Sequence, residues 1–291
     1  MIADEFFEFT IPYIIQQFHH FFETFKHTFT DQQRKYLSKS ETTIPAFHIL
    51  PKLHKSPLST RPIVGSPAWL TTTWSKYIDV ELSTLTCQSV LVNSMSIIPL
   101  LEGSIIPPGY HLITADVSSL YTNIHLPTLY RYLAKKLTCQ KYHLIKLLRL
   151  ICENNFFEYK NDIYHQFHGL AMGTNCAVVC ANLYMDQFDT VFAKRCHFYK
   201  RYIDDIFFIW GGSQNSLMEM QEEMNSLLPR ITLQFSSSPI SIPFLDINVN
   251  IDKTTRQIYF TTYQKPINRY GYLPPFSNHP THTPIQTTLK K

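Results

Sequence analysis

The chain has 291 residues, of which 44% are hydrophobic and 16% are charged. This balance excludes wholesale disorder, which requires low hydrophobicity and high net charge, and no apolar run reaches the ~18 residues of a membrane-spanning helix. A net charge of +4 permits an anionic partner without requiring one. The start of the chain lacks the basic leader of a secretory signal. Six cysteines without a C-x-x-C pair indicate neither a disulfide scaffold nor a zinc site, so we expect a reducing, intracellular location.

The N-terminal part of the chain divides into a helix and an extended arm. Apolar residues recur at helical spacing over 11–29, which predicts an amphipathic helix that begins near Thr10 and Pro12. The prolines of residues 41–67 exclude a helix there and favour extended chain. This arm is basic, since it contains Lys52, His54, Lys55 and Arg61.

Downstream of the arm, segments with helical periodicity alternate irregularly with β-forming runs. Helices are predicted over 74–85, 142–153, 175–194 and 214–228. Strands are predicted over 110–117, 156–160, 163–167, 197–210 and 231–263, with Asn161-Asp162 as a hairpin turn. Because strands and helices mix without regular βα alternation, the sequence predicts an α+β fold.

Two acidic sites stand out among the β-forming runs. Asp204 and Asp205 are adjacent between two such runs, and because Asp-Asp favours a tight turn we expect both at the tip of a hairpin. Asp116 ends another predicted strand. Taken singly, the pair fits a surface turn and Asp116 a helix cap. Taken together, two strand-end acid sites can bind two divalent cations about 3.5–4 Å apart, and Mg²⁺ prefers carboxylate oxygen.

Several segments, in their order along the chain, resemble motifs of reverse transcriptases. LITADVSSLYTNI at 112–124 resembles the first catalytic motif, GLAMGTNCAVVCAN at 169–182 the template- and nucleotide-positioning loop and helix, and YIDD at 202–205 the Tyr-x-Asp-Asp box. The resemblance narrows to Penelope-like retroelements, which are similar to telomerase reverse transcriptase, through FHILPKLHK at 47–55, RPIV at 61–64, PFLD at 243–246 and YQKP at 263–266. It spans about residues 44–280.

The resemblance implies a right-hand polymerase fold, in which an antiparallel palm sheet is backed by helices. Residues 1–40 would form an N-terminal helix, and 41–109 would form the fingers from the basic arm and following helices. Residues 110–266 would form the palm with the catalytic motifs, while 138–168 would contribute to the fingers. Residues 267–291 would form a partial thumb or a frayed tail.

The resemblance also implies roles for individual residues. Asp116, Asp204 and Asp205 would be the catalytic acids. Two Mg²⁺ ions, for which Mn²⁺ could substitute, would be held by Asp116, Asp204 and the backbone carbonyl of Val117. Nucleotide contacts would come from Arg61, Lys55, Tyr121, Met172 and Gly173. Template and primer contacts would come from Tyr202, Tyr263 and Lys265, with duplex-backbone contacts from Lys194, Arg195, Lys200 and Arg201.

Two of these role assignments have plain structural alternatives. Tyr121 matches the position whose ring blocks a ribose 2′-OH, but it also fits an ordinary half-buried aromatic residue. Any single lysine or arginine also fits a solvated surface charge. The sequence alone leaves both alternatives open.

The function implied is RNA-directed DNA polymerisation onto a primer 3′-OH. The partners would be an RNA template, a DNA primer and deoxynucleoside triphosphates, with no membrane and no obligate protein partner inferable. Nuclear residence is implied by the family. The alternative is a catalytically inactive, truncated retroelement remnant that binds RNA or RNA/DNA duplex, because neither a full thumb nor a GIY-YIG endonuclease is recognisable. A third interpretation is a globular scaffold whose acids are only turns and caps.

Overall fold

The computed structural model describes residues 6–39, 41–52 and 58–264. Its helices are α1 Ile11–Phe25, α2 Asp31–Leu37, α3 Thr72–Leu82, α4 Leu126–Lys136, α5 His143–Glu153, α6 Ala177–Phe192 and α7 Gln214–Leu227. Its strands are β1 Ala46–Lys52, β2 Ser59–Gly65, β3 His111–Val117, β4 Phe156–Tyr159, β5 Asp162–His165, β6 Phe198–Tyr202, β7 Asp205–Trp210, β8 Leu233–Ser238, β9 Ser241–Phe244, β10 Ile247–Ile251 and β11 Ile258–Thr262. Shorter helical turns cover Phe6–Thr10, Lys26–Thr28, Ser94–Ile97, Ile98–Leu101, Leu120–Asn123, Cys139–Lys141 and Ala193–Arg195.

A four-stranded antiparallel sheet, which we call the central sheet, has the strand order β6-β7-β3-β8. Both of its faces are covered. Ile206 and Phe208 of β7 point into the main core, while Phe207 and Ile209 point into a second core. The second core is completed by the three-stranded sheet β11-β10-β9. Because side chains alternate between the two faces of a strand, burial on both sides explains the uninterrupted apolar run of β7.

A second four-stranded sheet, which we call the hairpin sheet, has the order β2-β1-β4-β5. Strands β1 and β2 form an antiparallel hairpin, and β1 meets β4 in parallel. The turn between β4 and β5 consists of Lys160 and Asn161, both with positive φ, and Asp162 already belongs to β5. The predicted turn at Asn161-Asp162 was therefore one residue late. Positive φ at both central residues is the requirement of a type I′ hairpin turn.

The N-terminal helix is amphipathic as predicted, and α1 packs its apolar face on aromatic residues. The ring of Phe18 stacks on Trp74 at 5.5 Å between centroids, and Phe21 meets Trp74 edge-on at 5.8 Å. Helix α4 was not predicted from the sequence, although Pro127 lies in its first turn and Leu129 and Leu133 are buried at helical spacing. Proline in the first turn is a helix-start signal.

The described residues therefore form a mixed α and β structure with antiparallel sheets, in agreement with the predicted α+β class. In that part of the chain, no helix combines the length and apolarity needed to cross a membrane. The division into an N-terminal helix, fingers, palm and thumb stays a prediction at this point, and its last range, 267–291, lies outside the described residues.

Candidate active site

The three predicted catalytic acids meet at one end of the central sheet. Asp116 on β3 and Asp205 on β7 are direct partners in the antiparallel ladder, so their side chains leave the same face. Tyr202 pairs with Asp205, which leaves Ile203 and Asp204 as the two residues of the turn between β6 and β7. The predicted hairpin is thus confirmed, but only Asp204 lies at its tip, because Asp205 is the first residue of β7.

The turn that carries Asp204 has an unusual backbone. Ile203 has φ 54°, a left-handed conformation that is a genuine outlier for a β-branched residue. Two hydrogen bonds hold the turn in place. The Val117 amide donates to the Asp204 carbonyl at 3.0 Å, and Nη1 of Arg201 donates to the Ile203 carbonyl at 2.8 Å. Strained backbone of this kind persists only where the surroundings over-determine it.

Asp116 and Asp204 line a cleft with a volume of about 760 Å³. One wall is the end of the central sheet, and the facing wall is the β1–β2 hairpin of the hairpin sheet with the loop before α6. The residues that line the cleft include Lys52, Arg61, Asp116, Val117, Tyr121, Met172, Gly173, Asp204 and Gln234. Asp205 is half-buried and is not among the lining residues.

The charges around Asp204 oppose one another. Burial raises the pKa of its carboxyl above the ordinary aspartate value, and the carboxylate of Asp116 raises it further. A backbone hydrogen bond, Arg61 and Lys52 act in the opposite direction and lower that pKa. The net shift is upward, with burial as its largest cause and the charge of Asp116 as the other contribution. A divalent cation bound beside the two carboxylates would favour their charged forms.

The donor set fits a hard divalent cation. Asp116 and Asp204 offer carboxylate oxygens toward the cleft, and oxygen is the donor that Mg²⁺ prefers. Within the described residues there is no group of three or more His, Cys, Asp or Glu side chains placed to hold a metal ion. Mg²⁺ in proteins is usually held by one or two carboxylates and keeps water and substrate oxygens in its other coordination positions.

Tyr121 lies half-buried on the cleft wall close to the acids. Burial raises the pKa of its hydroxyl, and the charges of Asp204 and Tyr202 raise it further. Its main chain is held by the loop before α6, because the Leu170 amide donates to the Tyr121 carbonyl at 2.8 Å. Gly169 is required there, since a Cβ would collide with the same carbonyl and φ is +68°. Tyr121 therefore combines the packing and the cleft-lining positions that the sequence left open.

Gly173 joins the cleft loop to the hairpin sheet. Its φ is +123°, and a Cβ at this position would collide with the carbonyl oxygen of Val64 on β2. Beside it, the Val64 amide donates to the Met172 carbonyl at 2.8 Å. The approach of Gly173 to strand β2 was not predicted from the sequence, and its predicted contact with the nucleotide stays a prediction.

The family of the chain follows from comparison with known proteins. Residues 53–242, well over half of the chain, match the model of the reverse transcriptase (RNA-dependent DNA polymerase) family. The chain belongs to this family. No curated protein sequence matches it.

The fold of this reverse transcriptase family member is similar to that of solved telomerase structures. Apo telomerase from Candida tropicalis aligns with a TM-score of 0.56 at 12% identity, covering 76% of this chain and 49% of that one. The same protein truncated from its C-terminal domain gives 0.53 at 10%, covering 77% and 56%. Telomerase from Candida albicans, in complex with a fragment of telomeric RNA, gives 0.53 at 12%, covering 79% and 48%. At such identities the likeness shows the fold, and the chain spans about half the length of these telomerase chains.

The other residues predicted to contact nucleotide, template or primer lie partly inside and partly outside the cleft lining. Arg61 is exposed on β2 and lines the cleft. Tyr202 is half-buried at the end of β6, outside the cleft lining. Tyr263 follows β11, and its amide donates to the Asp246 carbonyl at 2.9 Å. Lys55 and Lys265 lie outside the described residues.

One group of sequence-based assignments was partly wrong. Arg201 cannot contact a nucleic-acid backbone, because its side chain is fully buried and paired with Asp189. Strand alternation explains the error, since β6 buries every second residue and Arg201 falls on the buried face with Tyr199. Lys200 donates to the Gln88 carbonyl, and Arg195 forms an exposed ion pair with Glu223.

Two cleft residues were missed as site residues by the sequence analysis. Lys52 was noted only as part of the basic arm, yet it lines the cleft and lowers the pKa of Asp204. Alternation along β1 and β2 would have placed it on the same face as Arg61, because Lys52 pairs with Ser59 and Leu50 with Arg61. Gln234 on β8 pairs with Asp116 on β3. No pattern in the sequence indicated that Gln234 would line the cleft.

Proposed function

We propose that the chain is an RNA-directed DNA polymerase that adds deoxynucleotides to a primer 3′-OH by two-metal phosphoryl transfer. The observation that carries this proposal is the cleft itself. Asp116 and Asp204 lie on one wall, and the cations Arg61 and Lys52 act on Asp204 from the β1–β2 hairpin. An acidic wall that could hold divalent cations beside a basic wall suits a magnesium-bound triphosphate.

Asp116, Asp204 and the Val117 carbonyl would hold Mg²⁺, with Mn²⁺ as a substitute, and Asp205 would add negative charge beside them. The metal ions would supply activation of the primer hydroxyl and stabilisation of the departing pyrophosphate. Arg61 has a planar guanidinium that suits phosphate oxygens in a fork geometry. Lys52 and, by the family resemblance, Lys55 would add charge on the same side.

The other walls of the cleft would select and orient the nucleotide. The Tyr121 ring lies beside Asp204, where it would stand against a ribose 2′-OH and favour deoxynucleotides. Met172 and Gly173 lie across the cleft on the loop that is bound to β2, where they would contact the nascent base pair. Tyr202, Tyr263 and Lys265 would contact template and primer.

In the right-hand polymerase arrangement that we propose, the hairpin sheet corresponds to fingers and the central sheet to palm. The partners would be an RNA template, a DNA primer and deoxynucleoside triphosphates. Support for RNA comes from the family and from the Candida albicans telomerase, whose structure contains a telomeric RNA fragment. We further propose membership of the Penelope-like branch and an intracellular, nuclear location, which the motif resemblance supports.

Primer extension tests this proposal. Purified protein is supplied with an RNA template, a DNA primer, deoxynucleotides and Mg²⁺ or Mn²⁺, and is compared with the variant Asp204→Asn, Asp205→Asn. We expect metal-dependent extension by the unmodified protein and a loss of at least about 10³-fold in the variant, because the charge that holds the metals is removed. The matched control is Asp162→Asn, an exposed acid on β5 that is not among the cleft-lining residues.

A different result identifies the alternative function. If the protein extends no primer but binds RNA/DNA duplex with an affinity that falls as salt rises, the chain is a binding protein without turnover. In that case the double variant would bind duplex at least as well as the unmodified protein, since it removes negative charge facing the nucleic acid.

A further inference from the structure

A buried ion pair lies directly beneath the turn that carries Asp204. The side chains of Arg201 and Asp189 are 0% and 1% exposed, and Nη2 lies 2.7 Å from Oδ2. Moving two charges out of water is costly, and a buried pair is tolerated only when geometry and additional hydrogen bonds are good. The proposed catalysis assigns no role to either residue.

Every donor of this guanidinium has an acceptor. Nε and Nη2 donate to the Asp189 carboxylate, and Nη1 and Nη2 donate to the side chain and the carbonyl of Asn182 on α6. The second Nη1 hydrogen reaches the Ile203 carbonyl at 2.8 Å. A guanidinium has five N–H donors in a fixed fork, so this one is fully used. Tyr199 completes the network by donating to Asp189 at 2.8 Å.

Only one of these contacts reaches the turn, and it reaches the strained residue. Ile203 has φ 54°, and its carbonyl is bound by the buried Arg201. Arg201 is itself fixed through its main chain, because its amide donates to the Ser89 carbonyl and its carbonyl accepts from Leu91. The ion pair thus connects helix α6 to the turn through Arg201, which is hydrogen-bonded through both its side chain and its main chain.

We propose that Arg201 is a positioning residue, which with Asp189 holds the Ile203–Asp204 turn so that Asp204 faces Asp116 and the metal ions. The positioning role is inferred from the hydrogen bonds of Arg201 alone, and its consequence for polymerisation rests on the proposed function. The contrasting interpretation is that the pair only stabilises the packing of α6 on the central sheet. The two interpretations differ in what a change at Arg201 does to the turn.

The test compares Arg201→Lys with Tyr199→Phe. Lysine keeps the positive charge beside Asp189, but a point charge cannot also reach Ile203 and Asn182. Tyr199→Phe removes one hydrogen bond to Asp189 and leaves the Ile203 contact intact. The primary readout is hydrogen exchange of the Val117 amide, which is bonded to the Asp204 carbonyl.

We expect Arg201→Lys to speed exchange at Val117 by about tenfold or more, the effect of losing a charge-assisted hydrogen bond. Tyr199→Phe should change it less than about twofold, because its contact does not involve the turn. Equal exchange rates in the two variants at comparable melting temperature would overturn the positioning role, whatever their polymerase activity.

A second readout follows the metal site without turnover. Mn²⁺ affinity, measured by electron paramagnetic resonance, should fall about tenfold in Arg201→Lys and stay unchanged in Tyr199→Phe, since only the former misplaces Asp204. If exchange responds as expected while the unmodified protein extends no primer, the proposed function fails and the positioning role stands. If Mn²⁺ binding and exchange are both unchanged in Arg201→Lys, the positioning role is wrong.

A variant without buried charge covers the case in which Arg201→Lys does not fold. The pair Arg201→Gln, Asp189→Asn removes both charges and so leaves neither uncompensated, which makes it the milder change for folding. It also removes the donor to Ile203. The same acceleration of Val117 exchange is expected, and its absence would again contradict the proposal.

Discussion

The central sheet and the hairpin sheet face each other across the cleft, but they are built differently. Strand β7 has four consecutive buried residues between two cores, whereas no residue of β1 is fully buried. The acids therefore lie on a sheet covered on both faces, and Arg61 and Lys52 lie on a sheet that is largely solvated. The acids of the site thus belong to the packed sheet and the two cations that line the cleft to the weakly packed one.

The hairpin sheet is held to the loop before α6 through main-chain atoms. The Val64 amide donates to the Met172 carbonyl, and Gly173 approaches the Val64 carbonyl without a Cβ between them. Such contact depends on backbone geometry more than on side-chain volume. We therefore expect truncation of a side chain to matter most in the central sheet, and addition of a methyl group to matter most at this contact of the hairpin sheet.

The largest expected contrast is between two phenylalanines. Phe208 on β7 is fully buried in the main core, and Phe208→Ala should lower the free energy of unfolding by about 3–5 kcal/mol. Phe47 on β1 is half-exposed and stacks on Phe157 at 5.3 Å, so Phe47→Ala should cost about 1 kcal/mol. Urea unfolding of both variants measures the difference, and equal losses would contradict the contrast.

The next effect concerns the junction between strand β2 and the loop before α6. Gly173→Ala adds a Cβ that collides with Val64 at a positive φ, and it should destabilise the protein by about 2–4 kcal/mol. Gly65→Ala is the matched control, because a Cβ there meets no atom within 4 Å, and it should change stability by less than about 0.5 kcal/mol. Thermal melts compare the two. A tolerated Gly173→Ala would show that the junction is not rigid.

A smaller effect is expected from the cation on the solvated sheet. Arg61→Ala should lower kcat/KM for the deoxynucleotide about tenfold or more, mainly through KM, because one charge-assisted phosphate contact is lost. Arg61→Lys should recover part of this loss by restoring charge without the fork. Steady-state extension kinetics decide, with Lys135→Ala on the exposed face of α4 as control. An unchanged KM in Arg61→Ala would remove Arg61 from the nucleotide site.

The smallest effect is a pH dependence of stability at the acidic wall. The pKa of the Asp204 carboxyl is raised in the folded protein. Ionisation of this carboxyl therefore lowers the stability of the folded protein as pH rises from the ordinary aspartate pKa through the raised value. Asp204→Asn should therefore be more stable than the unmodified protein at neutral pH, and the gap should close as pH falls toward about 3.8. Denaturant unfolding between pH 4 and pH 8 measures the gap. Added Mg²⁺ should narrow it, and a gap that widens at low pH would contradict the shift.

The sequence predicts the central sheet and its acids well, for a physical reason. Burial on both faces produces an uninterrupted apolar run, and the Asp204-Asp205 pair interrupts it where β6 turns into β7, with Asp204 in the turn and Asp205 as the first residue of β7. In the hairpin sheet, β4 and β5 were predicted as a hairpin, whereas β1 and β2 were predicted only as an extended arm, because prolines exclude helix without specifying which strands pair. The parallel contact of Ala46 with Glu158 joins distant segments that no local pattern relates.

The site residues divide in the same way. Asp116, Tyr121 and Gly173 lie within motifs whose order identifies the family, and the structure brings them to one cleft. Lys52 can be recognised as a cleft residue only when the register of β1 and β2 is known. Arg201 was misassigned because a basic run does not indicate which of its residues points inward. The register of paired strands and the direction in which each side chain points depend on the tertiary structure, and these two properties determine the positions of Lys52 and Arg201.

The position of β3 within its sheet has a consequence for the newly made chain. Both of its neighbours, β7 and β8, come later in the sequence, so β3 has no partner until residues 205–238 have been synthesised. Until then its apolar side chains and both of its edges are open to pairing with other chains, the condition that leads to aggregation. Residues 117–204 separate Asp116 from Asp205 along the chain, and pairing across such a distance is slow. Assembly of the acidic wall is therefore a late folding event, and chaperone protection of β3 would matter most during that interval.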